Sequence, residues 1–175
     1  MIVSGADERV PRGSLVDAVA VIAEAKGRAV AATVRAGVVL AADTLVVIDG
    51  DALGKPADRD DAVAMLRRLR GRAHDVMTGV VAIDAASGRL VKATEVTRVV
   101  MARYPDELIE SYVAGGSPLD KAGAYAIQDL GGALVDGLVG SYSNVIGLPL
   151  ALTARLLEEV RGAGSGRGEA VEADP

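Results

Sequence analysis

Apolar positions change their period several times along this chain, and each change predicts an element. Leu15, Ala18, Val19 and Ile22 fall on one face at helical spacing. Ser14 precedes them, with Asp17 three residues on, a capping-box-like start. Glu24, Lys26 and Arg28 lie near the end of that helix, where Lys26 either complements the helix dipole or reaches into a cleft. Val38 to Ile48 is an apolar, β-branched run interrupted by Asp43 and Thr44. Asp49-Gly50 then signals a hairpin, because a tight turn between twisted strands needs positive φ. The returning segment delivers Gly54, Lys55 and Pro56.

A second helix is predicted from Asp58 as N-cap, with Asp61 at the third position. Its buried face is Ala62, Met65, Leu66 and Leu69. Arg67, Arg68, Arg70 and Arg72 crowd its end, where a solvated, dipole-complementing cluster is a simpler reading than an anion site. His74 to Asp84 and Arg89 to Met101 read as an antiparallel hairpin with one face partly wet, and His74 at its mouth reads as a surface residue. Pro105 suits the first position of a short helix that ends near Gly115-Gly116. Ser117 to Gln128 reads as a loop into a short strand, and Ala133 to Val139 as another strand. Gly140 to Asn144, GSYSN, either offers backbone N–H groups to an anion or simply caps and turns through Ser141 and Ser143. Pro149 starts the last helix.

At the N-terminus, Ile2 and Val3 look like the tail of a strand that enters a polar loop carrying Asp7, Glu8 and Arg9. From Gly162 the residues are small, polar and acidic and cannot bury a core. The expected organisation is one domain over residues 1–161 and a disordered acidic tail over 162–175. Helices and hairpin strands together predict an α/β fold with a mixed central sheet flanked by helices. No GxGxxG follows a strand and no GxxxxGK[ST] is present, so Rossmann and P-loop readings have no support.

Composition narrows the chemistry. Half of the 175 residues are apolar, but there is no Phe or Trp and only four Tyr, so the core must be built from Val, Leu, Ile and Ala. A net charge of −5 argues against a non-specific nucleic-acid binder, which needs clustered cations. With no cysteine and one histidine, thiolate chemistry is excluded, and any triad or His-rich zinc site would hang on His74. No apolar run reaches the roughly 18 residues of a membrane span, and no signal peptide opens the chain. The cytoplasm is the expected location.

Asp43 is the first candidate for chemistry. An ionisable group inside an apolar strand costs free energy unless it has a partner such as a metal or a substrate. From this stretch alone, a residue that only bonds a neighbouring turn is an equal alternative. A haloacid-type phosphatase is disfavoured, because Asp43 and Asp49 are too far apart for its paired aspartates.

The segments SGADE, EAKGRAV, AADT, LGKP, MLRRLRGRAHDVMTG, SPLDKAGAYAIQ and GSYSNVIGLPL occur here in one order. Together they resemble the Maf family of nucleoside triphosphate pyrophosphatases, once described as septum-formation inhibitors. DKAGAYAIQ and GSYSNV resemble the branch that acts on dTTP and UTP. The resemblance implies an α/β fold with two lobes and a cleft, often a homodimer. It implies hydrolysis of the α–β phosphoanhydride to a nucleoside monophosphate and pyrophosphate with Mg²⁺ or Mn²⁺. It makes Asp43 the proton acceptor and a metal ligand with Glu8. Thr44 and Gln128 match positions of base and substrate selection, and Lys26 and Lys55 match cations of the cleft. The family pattern opens on a strand and a Ser-x-Ser-Pro-Arg-Arg turn that this sequence does not contain. The alternative expectation is therefore a non-catalytic nucleotide-binding or septum-regulating protein.

Overall fold

The hairpin signal at Asp49-Gly50 folds as its residues require. Asp49 has φ 56° and Gly50 φ 84°, the doubly positive pair of a type I′ turn. In the computed structural model, which describes residues 14–128 and 130–162, this turn joins β1 (Val38–Ile48) to β2 (Asp51–Leu53). The sheet is completed by β3 (Ala73–Asp84), β4 (Leu90–Met101) and β5 (Val135–Val139), in the order β2-β1-β3-β4-β5. The α/β class is as the sequence predicts. All four described pairings are antiparallel, because the long strands follow one another through hairpins. Ile2 and Val3, read as the tail of another strand, lie outside the described residues, as does the acidic tail beyond Gly162. Gly162 itself, read as the first tail residue, closes the last helix.

One face of the sheet carries α1 (Leu15–Ala31). Val19 packs against Leu45, Val47 and Met77, and Ala23 against Val81 and Ile83. The helix lies so close that a Cβ at Gly79 would sit 2.7 Å from the Cα of Ala20. Only glycine permits that approach.

The other face carries two separate apolar groups. Leu66 and Leu69 of α2 (Arg59–Leu69) and Ile109 of α3 (Asp106–Ala114) pack with Val46, Val76, Val99 and Met101. Leu152, Leu156 and Val160 of α5 (Leu150–Gly162) pack with Val80 and Ala82. Between them, on the same face, the strands present Thr44 and Thr78, which are paired in register. The apolar lining is interrupted there, and the hollow described below opens beside it. No described helix is long and apolar enough to cross a membrane.

Several local expectations change. Ser117 to Gln128 forms two 3₁₀ turns, Ser117–Asp120 and Ala122–Ala124, and no strand. The positive φ of Gly116, Gly123 and Ala124 breaks extended pairing. GSYSN enters a short helix, α4 (Tyr142–Ile146). Ser141 caps it by accepting from Asn144 N, and Ser143 Oγ accepts from Leu150 N. Asp58 caps α2 through Asp61 N as predicted, whereas Ser14 makes no side-chain cap bond, and Pro105 stands just outside α3 as its N-cap. The arginine cluster is matched by aspartates. Arg67 and Arg70 each donate to Asp106, Arg68 to Asp51 and Arg72 to Asp49. These pairs hold the Asp106 carboxyl below its ordinary value, chiefly through the Arg67 and Arg70 bonds, and occupy what could have been an anion site.

His74 is not a surface residue. It is 2 % exposed, because its strand is covered by the Ser117–Gln128 segment, and its Nε2 lies 2.8 Å from the Tyr125 hydroxyl. Burial pushes its pKa down from 6.5 to about 4, so it is neutral in the fold. The unfolded chain takes up a proton near pH 6.5 that the folded chain refuses until about pH 4. Stability is therefore full above pH 6.5 and lost as pH falls toward 4. Between pH 7 and pH 5 the wild type should lose about 2 kcal/mol more than His74→Gln in urea denaturation. Equal losses would contradict a neutral buried His74.

Candidate active site

On one side β1 pairs with β3 from Val38 to Val47, whereas on its β2 side it is paired only from Val46 to Ile48, and no other described strand lies along that edge. Asp43 and Thr44 sit on that edge and, by the alternation of a strand, face opposite sides of the sheet. Asp43 faces α1, where Lys26 lies two turns beyond Val19, the residue packed on Leu45. Lys26 Nζ donates to Asp43 Oδ1 at 2.7 Å, with the side chains 20 % and 15 % exposed. Of the two roles open to Lys26 from sequence, the structure shows the one in the cleft. Gly79, the register partner of Asp43, sets the height of the helix that delivers this lysine.

Asp43, Thr44 and Lys26 open onto a cavity of about 520 Å³. Its size suits a small organic ligand. Lys55 enters from the segment after β2, and Gln128 from the segment after the second 3₁₀ turn. These two segments are tied together where Gly123 N donates to Gly54 O. Val46, Val76, Val145 and Ile146 supply apolar wall, and Tyr125 one aromatic ring. Asp120 and Lys121 stand at the rim as a 2.6 Å ion pair. The hollow thus combines the Lys26–Asp43 pair, a further cation in Lys55 that acts electrostatically on Asp120, an apolar wall and Gln128.

Five of the candidates read from sequence, Asp43, Thr44, Lys26, Lys55 and Gln128, line this one hollow. Glu8, the sixth, lies outside the described residues. Among the described residues no group of three or more His, Cys, Asp or Glu is placed to hold a metal. Ser141 and Ser143 are spent on capping and do not line the cavity.

Sequence reasoning missed the polar support behind the site. Asn144 is wholly buried and its Nδ2 donates to Val76 O and Thr97 Oγ1. The segment carrying Gln128 is anchored twice: Tyr125 bonds His74, and Ala126 N donates to the Tyr112 hydroxyl. The usable signal was the scarcity of aromatics. A core without Phe or Trp that keeps Tyr112 and Tyr125 keeps them for their hydroxyls.

Comparison with known proteins points the same way. The profile of Maf-like proteins matches residues 1–160. A dTTP/UTP pyrophosphatase of Pelotomaculum thermopropionicum is 46 % identical over 160 residues, 91 % of this chain and 84 % of that protein. One of Anaeromyxobacter dehalogenans is 53 % identical over 154 residues, covering 86 % and 77 %. One of Escherichia coli O157:H7 is 47 % identical over 158 residues, covering 89 % and 79 %. Matched along nearly its whole length and carrying the charged cleft described above, the chain belongs to the Maf-like protein family.

Proposed function

We propose that this protein hydrolyses dTTP and UTP to the nucleoside monophosphate and pyrophosphate. The observation that carries the reading is the Lys26–Asp43 pair on the lip of a hollow also lined by Lys55 and Gln128. Relatives of similar length named dTTP/UTP pyrophosphatase support it. Lys26 and Lys55 act as point charges that receive the triphosphate. Asp43 orients the attacking water and takes its proton, and Lys26 holds the carboxylate in place. Gln128 offers its amide N–H to a carbonyl oxygen beside N3 on the imide edge of the base.

The donor set fits Mg²⁺ or Mn²⁺ brought in with the nucleotide. Such an ion needs one or two carboxylates, with phosphate oxygens and waters completing its shell. Asp43 supplies a carboxylate at the lip, and Glu8 is the second ligand in this reading. When bound, the ion neutralises charge on the phosphates. The same reading places the protein in the cytoplasm, on free nucleotides, and as a homodimer.

The test is product identity. With UTP or dTTP and Mg²⁺, pyrophosphate should appear, orthophosphate should not, and a chelator should stop the reaction. Release of orthophosphate would overturn the reading. Calorimetric binding of UTP without turnover would replace it with a non-catalytic, septum-regulating role.

A further inference from the structure

Thr44 does not end at the cavity wall. Its Oγ1 lies 2.9 Å from Thr78 Oγ1, and Thr78 Oγ1 lies 3.3 Å from the Asn144 carbonyl oxygen. Thr78 and Asn144 are both fully buried, and Asn144 is fixed by its 3.0 Å bonds to Val76 O and Thr97 Oγ1. A hydroxyl has one proton, and a carbonyl oxygen can only accept. If Thr78 donated to Thr44, its lone pairs would face the Asn144 oxygen at 3.3 Å in a site closed to water. If Thr78 donates to Asn144, Thr44 donates to Thr78 and every contact is satisfied. The proton of Thr44 then points away from the cavity, which meets only its lone pairs. Gly147, at φ 112°, keeps the approach open, since a Cβ there would stand 3.6 Å from Thr44 Oγ1.

An oxygen that can only accept repels phosphate oxygens and seeks a donor. Such an oxygen suits a base donor better than a phosphate oxygen. Uracil and thymine carry a proton on N3, whereas cytosine presents a lone pair there. We propose that Thr78, oriented by the Asn144 carbonyl, is a positioning residue that makes Thr44 an acceptor for N3–H and so selects uracil and thymine nucleotides over cytosine nucleotides. This rests on the pyrophosphatase reading above.

The experiment compares kcat/KM for UTP and CTP in the wild type, Thr78→Val and Thr78→Ser. Val keeps the shape but removes the acceptor, which frees the Thr44 proton to turn into the cavity and meet cytosine N3. The UTP-to-CTP ratio should fall by about 10-fold or more in Thr78→Val and recover in Thr78→Ser. A second measurement needs no variant: 3-methyl-UTP, which lacks the donor, should be about 100-fold poorer than UTP for the wild type. An unchanged ratio in folded Thr78→Val overturns the proposal, and so does equal use of 3-methyl-UTP, which would put a sugar hydroxyl on Thr44. A wild type that releases no pyrophosphate from UTP overturns the pyrophosphatase reading itself, and this inference with it.

Discussion

Asp43→Asn is expected to lower turnover of UTP by about 10³-fold, within the usual range for loss of a general base. Asparagine keeps the size of the side chain and an oxygen for the Lys26 ammonium to reach, so the wall of the cleft is preserved. What it loses is the charge and the ability to take a proton from water. The Lys26–Asp43 pair is mostly buried, so losing its charge should cost about 2 kcal/mol of stability. Steady-state kinetics beside a thermal melt separate the two effects. Full activity in a folded Asp43→Asn protein would remove Asp43 from the role of base and leave it a structural partner of Lys26.

Gly79→Ala is expected to have the largest effect on stability, at about 3 kcal/mol or more. The added methyl would lie 2.7 Å from the Cα and N of Ala20 and from the carbonyl carbon of Val19. These are backbone atoms, so no rotamer change relieves the clash. The helix must lift from the sheet. The same glycine is the register partner of Asp43, and the lifted helix carries Lys26. Activity should therefore fall further than the loss of folded protein accounts for. Gly137→Ala is the control, because a Cβ there meets nothing within 4 Å. Urea denaturation showing Gly79→Ala as stable as Gly137→Ala would contradict the close helix–sheet packing on which the site depends.

Part of the candidate site was legible in the chain because the strand period and the turn chemistry are local, while Glu8, Gln128 and the roles of Thr44, Lys26 and Lys55 came with the family resemblance. Asp49-Gly50 can only make one kind of turn easily, and that fixes where β1 ends and where Lys55 begins. Asp43 was legible because a charge in an apolar strand demands a partner. Its partner was not, since Lys26 is as good a helix-end cation as a cleft residue until the packing of Val19 and Gly79 fixes which way the helix faces. His74 was misread for the same reason. Polar residues at strand ends are usually wet, and only the long-range arrival of Tyr125 covers this one. The Ser117–Gln128 segment was misread because Gly123 and Ala124 adopt positive φ, which an apolar–polar pattern does not announce. The arginine cluster was read as solvated, but Arg68 and Arg70 are half-buried, and the aspartate partners come from β2, α3 and the hairpin turn, far away in sequence.

The most direct measurement is a crystal structure with Mg²⁺ and α,β-imido-UTP, whose bridging nitrogen resists cleavage. The imido bridge should lie beside the Asp43 carboxylate, the outer phosphates against Lys26 and Lys55, and the uracil against Thr44 and Gln128. A nucleotide seated anywhere else on the molecule, or one reversed so that its base lies at Lys26, would contradict the account.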